Sequence, residues 1–320
     1  MEPALEWLLA SPEPALRYLT RRDLLGEQAE PDREEIAEGP IVHALLDAAM
    51  SVHPYKKWQG AHWRLVSLVE LGISPGEKRA LAAAEQVLEW LTGAGHRRGI
   101  PTIDGLVRRC ASQEGNALAV CCRLGLAGDP RVELLAESLV EWQWPDGGWN
   151  CDRRAGGHRS SFNESLPPMW GLHEYFVATG SRAARDAALR TAELFLEHNL
   201  FRSLRTGEPI KPAWLVPHYP PYWHYDVAQA LLILSRMGLV RDVRASEALD
   251  LLLSLRRPGG TWRAGPAWWR APGGRTTSNV EVVDWGAATH GMVTLNALRI
   301  LCAAGRWTFA REPATIVGSG

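Results

Sequence analysis

Five apolar runs of helical length recur along the chain, and each ends in a glycine: Gly72, Gly125, Gly180, Gly238 and Gly305. Successive glycines stand 53 to 67 residues apart. Glycine is the favoured residue just past a helix because it adopts the left-handed conformation of the cap without steric strain. A period of this size, repeated five times, predicts stacked helical hairpins rather than two unrelated domains.

Two kinds of helix alternate within each period. The helices that end at the glycines are apolar nearly all round, as in 116–126 and 226–239, whereas the helices that follow them are apolar on one face, as in 77–91 and 131–144. A helix that is apolar on every side is buried on every side. We therefore predict an all-α fold, an α/α toroid in which about five to six hairpins form an inner and an outer ring. An open solenoid fits less well, because its inner helices carry an exposed polar binding face.

Composition limits the classes of protein to which the chain can belong. Its 320 residues are 46% hydrophobic and carry a net charge of −1, which allows a sizeable core and gives no basic surface for nucleic acid. No apolar stretch reaches the ~18 residues of a transmembrane helix, and the N-terminus lacks the pattern of a signal peptide. We expect a single cytoplasmic domain over residues 1–320, with N-terminal helices in 1–50 and an irregular tail over 306–320.

Two stretches share a double-glycine turn that is followed by a tryptophan, 143–149 (QWPDGGW) and 256–262 (RRPGGTW). Each stands between an outer helix and the next inner one, so its glycines and tryptophan are predicted to be structural. The pattern of Gln143, Gly147 and Trp149 resembles the Q-x3-G-x-W repeat of squalene-hopene cyclases and prenyltransferases. The stretches DGGWNC, SSFNESLPPMWGL and YWHYD resemble a short bacterial branch of that superfamily. The resemblance spans about residues 40–305 and implies an α/α toroid that handles isoprenoids.

All inner helices of a toroid run the same way, so their N-termini and the partial positive charges there surround one mouth. Large aromatic and polar residues interleave at these N-termini, which predicts an aromatic cavity with a polar entrance. The alternative is that the tryptophans only fill the centre of the ring. The predicted substrate-binding residues are Trp58, Trp63, Glu114, Asn163, Trp170, Tyr222, Trp223, Tyr225, Trp285 and His290.

Proton-transfer groups are expected at the same mouth. Asp226 and His224 stand beside three aromatic residues at a helix entry, where apolar neighbours shift pKa values. The further candidate acids are Asp152, Glu164 and Asp284. The alternative for Asp226 is a helix cap, a position that aspartate favours.

Cys151, Asp152 and His158 are residue types that bind zinc. Resemblance to the protein prenyltransferases implies a zinc ion that is held by an Asp-x-Cys pair and a histidine. His224 matches the histidine by position. At residues 158–160, where the Asp-x-Cys pair is expected, the sequence is His-Arg-Ser. Because zinc needs at least three protein ligands, we expect no metal and no cofactor. The odd number of cysteines and the absence of a CxxC pair indicate reduced thiols.

Together these features predict that the protein cyclises or rearranges an isoprenoid or a similarly apolar small molecule, with or without an anionic head group, by acid–base chemistry. The cyclase motif Asp-x-Asp-Asp is absent from the chain. Two alternatives stay open. One is a carbohydrate-active toroid that uses two carboxylates from among Glu164, Asp226 and Asp284; the other is a non-catalytic carrier of a lipid or another ligand.

Overall fold

The structure is a computed structural model that describes residues 2–27, 35–48, 51–274 and 278–309. Within these residues, helices of seven or more residues alternate between two rings. The inner ring contains α2 (Pro14–Thr20), α4 (Ala61–Glu70), α6 (Ser112–Arg123), α8 (Phe162–Thr179), α10 (Val227–Arg236) and α12 (Ala288–Ala303). The outer ring contains α1 (Pro3–Leu9), α3 (Pro40–Asp47), α5 (Lys78–Thr92), α7 (Pro130–Trp142), α9 (Arg182–Glu197) and α11 (Ser246–Ser254).

The inner helices close into a ring. Each of α4 to α12 packs against the next inner helix, and α12 returns to α2. Helices α2 and α4 meet where Tyr18 and Leu19 lie against Gly72. The outer helix α1 covers the junction of α2 and α12, so the start of the chain supplies the outer partner of the last inner helix. The predicted α/α toroid is confirmed, with six hairpins.

Every inner helix is followed by a glycine with a positive φ, between +70° and +86°. These are the five glycines of the repeat and Gly26, which ends the π-helical turn Arg21–Leu25 after α2. The sequence pattern therefore located the ends of five of the six inner helices. It missed the end of the first one, whose apolar run is short.

The remaining regular elements are small. Strands β1 (Thr102–Ile103) and β2 (Leu106–Val107) form an antiparallel pair between α5 and α6. One helical turn covers Ala94–Arg97, and 3-10 turns cover Glu35–Glu38, Pro212–Leu215 and Val243–Ala245. None of the described helices is long and apolar enough to cross a bilayer. Residues 310–320 of the predicted tail lie outside the described residues.

The two double-glycine turns join an outer helix to the next inner helix in the same way. The indole N–H of each tryptophan donates to a carbonyl in the last turn of the preceding outer helix, at 3.1 Å for Trp149 and 2.7 Å for Trp262. The backbone N–H of each tryptophan donates to a hydroxyl of the following inner helix, Ser165 or Thr294, at 3.0 Å. Both tryptophans are buried. These bonds are structural.

Gln143 ties the first of these turns to the neighbouring hairpin. Its side-chain Nε2 donates to the carbonyl of Gly147 and to Ala187 and Thr191 on α9, at 2.8 to 3.0 Å. Gly147 has a φ of +92°, and a Cβ there would lie 2.4 Å from the carbonyl oxygen of Arg190. No side chain is therefore tolerated at this position.

Helices α6 and α8 approach each other closely because glycines face backbone. A Cβ on Gly115 would lie 2.3 Å from the nitrogen of Pro168, and one on Gly171 would lie 2.3 Å from the oxygen of Gly115. This contact brings the first turns of α6 and α8 together and so positions the polar groups that they carry.

We predict that Gly147→Ala lowers the free energy of unfolding by roughly 2–4 kcal/mol, because the methyl group meets both a strained φ and a carbonyl oxygen. Gly128→Ala is the matched control: it lies in a turn between an inner and an outer helix, where an added Cβ would have no atom within 4 Å, and it should change stability by less than ~0.5 kcal/mol. Urea denaturation measures both. Equal effects of the two substitutions would contradict this account of the turn.

Candidate functional site

Aromatic rings fill the N-terminal mouth of the ring. Trp58 stacks on Tyr222 with centroids 4.3 Å apart, and its edge meets Trp63 at 4.9 Å. Both tryptophans are 1% exposed. The predicted wall residues Trp58 and Trp63 thus pack into a plug, as in the alternative in which the tryptophans fill the centre of the ring.

Below the plug lies an axial cavity of about 80 Å³, lined by α4, α6, α8, α10 and α12 and by residues 218–222. The volume exceeds the ~10–15 Å³ that one water needs, but it is far below the ~300–1,000 Å³ of sites for drug-sized molecules. Of the predicted binding residues, Trp170 and Tyr222 line it. A cavity of this size admits one substituent of a ligand and excludes an isoprenoid chain.

The lining of the axial cavity includes polar atoms that have no hydrogen-bond partner among the described residues. Five buried atoms belong to this set: Asn116 Nδ2, His218 Nδ1, Tyr219 Oη, Tyr222 Oη and Arg236 Nη1. Each such atom costs about 1–3 kcal/mol when it is left unsatisfied, and buried polar groups in proteins are nearly always paired. The cavity therefore selects a small polar group or water as its occupant.

The cavity adjoins a larger one at the C-terminal ends of the inner helices, and the two share Glu70, Leu232 and Arg236. We call this larger cavity, of about 500 Å³, the arginine chamber. Four arginines line it: Arg22, Arg123, Arg236 and Arg299.

Glu70 lies between two of these arginines. It accepts hydrogen bonds from Arg123 Nη1 at 2.9 Å and from Arg236 Nη2 at 2.7 Å. Burial raises the pKa of Glu70, but the charges of Arg236 and Arg123 outweigh burial and lower this pKa to about 2. Both guanidinium groups also lie over the ring of Trp170, at 5.3 and 5.9 Å from its centroid, and the indole N–H donates to Glu174 at 2.9 Å. Glu70 is therefore ionised at neutral pH and cannot donate a proton.

Asp23 holds the other two arginines. It pairs with Arg22 at 2.5 Å and with Arg299, and these charges lower the pKa of Asp23 although burial opposes them. The four guanidinium groups thus face three carboxylates, Glu70, Glu174 and Asp23, so the side chains carry one positive charge in excess. The negative ends of the inner-helix dipoles lie at the same end of the ring and oppose this charge.

A second polar cluster lies at the N-terminal mouth, around Glu164. This carboxylate is buried and accepts from the backbone N–H of Ser112 at 3.1 Å and from the indole N–H of Trp223 at 2.8 Å. Burial raises its pKa, and the hydrogen bonds offset this only in part. The Sγ atoms of Cys110 and Cys151 and a carboxylate oxygen of Glu164 all lie within 4.8 Å of one another. The sequence analysis paired Cys151 with Asp152 and His158 and missed Cys110.

Glu114 is a further buried carboxylate at this end. It pairs with Arg109 at 2.7 Å and with His96 Nε2 at 3.0 Å. Burial raises the pKa of Glu114 in spite of Arg109, and burial together with Arg109 lowers the pKa of His96 to about 4. Asn163 Nδ2 donates to the carbonyl of Trp223 at 3.0 Å and so holds that indole in place over Glu164.

Asp226 caps α10. Its Oδ1 accepts from the backbone N–H of Gln229 at 3.0 Å, and its Oδ2 accepts from the backbone N–H of His218 at 2.8 Å and from Gln229 Nε2 at 3.1 Å. The imidazole beside Asp226 is that of His218, with Nδ1 3.4 Å from Oδ2, and not that of His224. His224 stacks on Trp268 at 4.0 Å, and burial lowers its pKa to about 4.

The other predicted site residues line neither the axial cavity nor the arginine chamber. Asp284 is exposed, and Asp152 pairs with Arg154 at 2.7 Å. Tyr225, Trp285 and His290 belong to the packing between helices: Tyr225 lies against Phe162, Phe195 and Trp214, Trp285 lies against Tyr219, and the His290 Nδ1 accepts from the backbone of Ala264.

No family model and no curated protein matches this chain. The solved structures that resemble it include two carbohydrate-active proteins. One is the unsaturated glucuronyl hydrolase from Bacillus sp. GL1, which is responsible for the degradation of glycosaminoglycan; it is 14% identical, with 90% of this chain and 84% of that chain covered and a TM-score of 0.45. The other is a polysaccharide lyase that is 12% identical, with 95% and 90% covered and a TM-score of 0.49.

These findings correct the predicted family, function and ligand. The structures that the chain resembles are a glucuronyl hydrolase and a polysaccharide lyase, and no squalene-hopene cyclase or prenyltransferase family model matches. Three predictions are therefore wrong: that the chain belongs to that superfamily, that it cyclises an isoprenoid, and that its ligand is apolar. The physical reason is that the aromatic residues fill the ring, and the space that they leave is small and lined by unpartnered polar atoms.

We predict that Glu70 makes the fold sensitive to acid. Because its pKa falls from about 4.5 to about 2 on folding, its carboxylate contributes on the order of 3 kcal/mol above pH 4.5, and this contribution disappears as the pH falls towards 2. Glu70→Gln should therefore be much less stable than the wild type at pH 7 and nearly equal to it at pH 2.5, as measured by urea denaturation. A difference that is the same at both pH values would refute the ion pairing.

We also predict that Asp226→Asn lowers the free energy of unfolding by roughly 1–3 kcal/mol. Either orientation of the amide places an NH2 group against a backbone N–H, that of Gln229 or that of His218. Asp284→Asn, at an exposed carboxylate, is the control and should be nearly neutral. Thermal unfolding compares the stabilities of the two variants. An Asp226→Asn variant that is as stable as the wild type would show that the cap does not need the charged carboxylate.

Proposed function

We propose that this protein acts on a saccharide that carries an acidic group, and that it binds this saccharide from the arginine chamber with one polar substituent inserted into the axial cavity. The observation that carries the proposal is the set of five buried, unpartnered polar atoms beside a chamber whose side chains carry one positive charge in excess. This is the carbohydrate alternative of the sequence analysis, with a different site. The cytoplasmic location stays a prediction.

Hydroxyl groups fit the axial cavity because they satisfy both donors and acceptors. Asn116 Nδ2 and Arg236 Nη1 are donors, whereas the hydroxyls of Tyr219 and Tyr222 donate or accept. A polar substituent on a sugar ring would meet several of these atoms at once. An alkyl chain would leave all of them unsatisfied, at a cost of about 1–3 kcal/mol each.

The acidic group of the saccharide fits beside Arg236. Its Nη2 binds Glu70, while its Nη1 is unpartnered among the described residues, and the residue lines both the axial cavity and the arginine chamber. Hydrogen bonds between a guanidinium and a carboxylate are about twice as strong as neutral ones. Arg236 stands at the junction of the two cavities, so it can hold a carboxylate or a sulfate while the sugar occupies the chamber.

The proton-transfer group that we assign is His218, with Asp226 as its positioning residue. His218 lines the axial cavity, and the carboxylate of Asp226 lies 3.4 Å from its Nδ1. The buried carboxylate limits the orientations of the imidazole, which positions it for proton transfer to a group in the axial cavity. In hydrolysis, water attacks the anomeric carbon as the glycosidic C–O bond breaks, and the leaving oxygen, as the substituent in the axial cavity, takes a proton from His218.

The first test is binding. Calorimetric titration with glucuronic acid, galacturonic acid and glucose should give binding of an acidic sugar and at least tenfold weaker binding of glucose. Arg236→Gln should weaken the binding of the acidic sugar at least tenfold, since a charge-assisted hydrogen bond contributes about 1.5–3 kcal/mol. Arg244→Gln, in a surface pair with Glu193 and Asp242, is the control. Equal affinity for glucose, or no effect of Arg236→Gln, would refute the proposal.

The second test is turnover of acidic oligosaccharides, followed by the appearance of reducing ends. His218→Ala should abolish cleavage and leave the affinity within about threefold of the wild type, as expected for a group that acts in the transition state. Unchanged cleavage by His218→Ala would remove it from the reaction and leave the binding site in place.

A further inference from the structure

Three potential metal ligands converge at the mouth of the ring that faces away from the arginine chamber. Cys110 stands two residues before α6, Cys151 lies in the loop before α8, and Glu164 is in the first turn of α8. Their Sγ, Sγ and carboxylate oxygen atoms lie within 4.8 Å of one another. We propose that Cys110, Cys151 and Glu164 bind one Zn²⁺ ion, with a fourth coordination position open to solvent.

The separation of the ligand atoms suits a tetrahedral ion. Zinc lies ~2.3 Å from thiolate sulfur and ~2.0–2.2 Å from carboxylate oxygen, so at tetrahedral angles its ligand atoms are roughly 3.5–3.8 Å apart. The three ligand atoms, which lie within 4.8 Å of one another, reach this spacing by side-chain movements of about 1 Å. The close contact of α6 and α8 at Gly115 fixes this geometry, because both cysteine loops end at these two helices.

The environment of Glu164 also favours a cation. Its carboxylate is 2% exposed, and within the described part of the chain its hydrogen bonds come from two neutral donors, the N–H of Ser112 and the indole of Trp223. These donors orient the carboxylate and leave lone pairs free for an ion, as outer-shell groups do at zinc sites. An ion would supply the charge that no arginine or lysine among the described residues supplies by an ion pair.

The two thiolates and the carboxylate indicate which metal ion the site prefers. Thiolate ligands favour zinc over magnesium and calcium, which prefer oxygen donors. Three protein ligands leave one position for water or another ligand, which is the pattern of zinc sites that keep an open position. Both cysteines are half-buried, so an ion can enter from solvent and the open position faces the mouth.

This ligand set differs from the one that the sequence analysis rejected. In the structure Asp152 pairs with Arg154, and His158 is exposed. The expectation that the protein binds no zinc was based on the missing Asp-x-Cys pair at 158–160, and Cys110 did not enter it.

The test measures zinc itself and does not depend on the proposed function. Purified full-length protein is incubated with reductant and Zn²⁺, passed through a desalting column and analysed for metal; we expect one zinc per chain. Cys110→Ser, Cys151→Ser and Glu164→Gln should each retain less than one tenth of this. Cys302→Ser, at a half-buried cysteine on α12, should retain all of it. Co²⁺ in place of Zn²⁺ should give a thiolate-to-cobalt charge-transfer band that Cys151→Ser lacks.

A measurement on the wild type tests the proposal even if one of the variants fails to fold. Zn²⁺ should protect Cys110 and Cys151 from alkylation, as read by peptide mass spectrometry, and should leave the labelling of Cys302 unchanged. The proposal is overturned if the reduced wild type retains no zinc, if zinc protects neither cysteine, or if the two cysteine variants retain zinc as the wild type does. A Cys110–Cys151 disulfide that forms in air while the reduced protein still binds no zinc would also overturn it. Saccharide binding at the arginine chamber should be the same with and without zinc, so the two proposals fail separately.

Discussion

The six inner helices run in the same direction around one axis, so their dipoles add at both ends of the ring. Each helix places roughly half a positive charge at its N-terminus and half a negative charge at its C-terminus. Glu114, Glu164 and Asp226 are buried at the N-terminal end, and Arg123 and Arg236 stand at the C-terminal end, as these dipoles favour. Glu70 stands at the C-terminal end of α4 against its dipole, and the two arginines that it pairs with hold it there. The arginines thus stabilise both the helix C-termini and the carboxylate between them.

The centre of the ring is closed by the chain itself. Residues 218–222 run across the axis between the aromatic mouth and the axial cavity, and Tyr222 takes part in both: one face stacks on Trp58, and its hydroxyl belongs to the unpartnered set of the cavity. Because large rings occupy the mouth, the axial space that remains is small and its lining is polar. A ligand that reaches this space enters past the arginines, so the first groups that it meets are charged.

Those parts of the structure that depend on local sequence were predictable, and those that depend on the closing of the ring were not. The cap glycines and the turns before Trp149 and Trp262 act within a few residues, so a pattern in the sequence locates them. The Q-x3-G-x-W pattern encodes the way in which a turn packs on its helix, and for that reason it predicted the fold correctly and the substrate wrongly. Cys110 and Cys151 are brought together only by the packing of α6 on α8. One clue to the chamber was present in the sequence: Arg123 and Arg236 each stand two residues before a cap glycine, at the end of an otherwise apolar helix.

The segment before α10 shows why a stretch rich in titratable and aromatic residues resists assignment from sequence. Its neighbouring side chains point to different parts of the molecule: Tyr219 and Tyr222 line the axial cavity, Trp223 donates to Glu164 at the mouth, and Asp226 turns back to the helix N-terminus and to His218. An irregular segment has no fixed periodicity, so sequence spacing gives no information about which side chains share a surface. The stretch therefore contributes to both candidate sites. Its residues separate into cavity-lining tyrosines, an indole that orients Glu164 and a helix cap only once the ring has placed the neighbours that each one contacts.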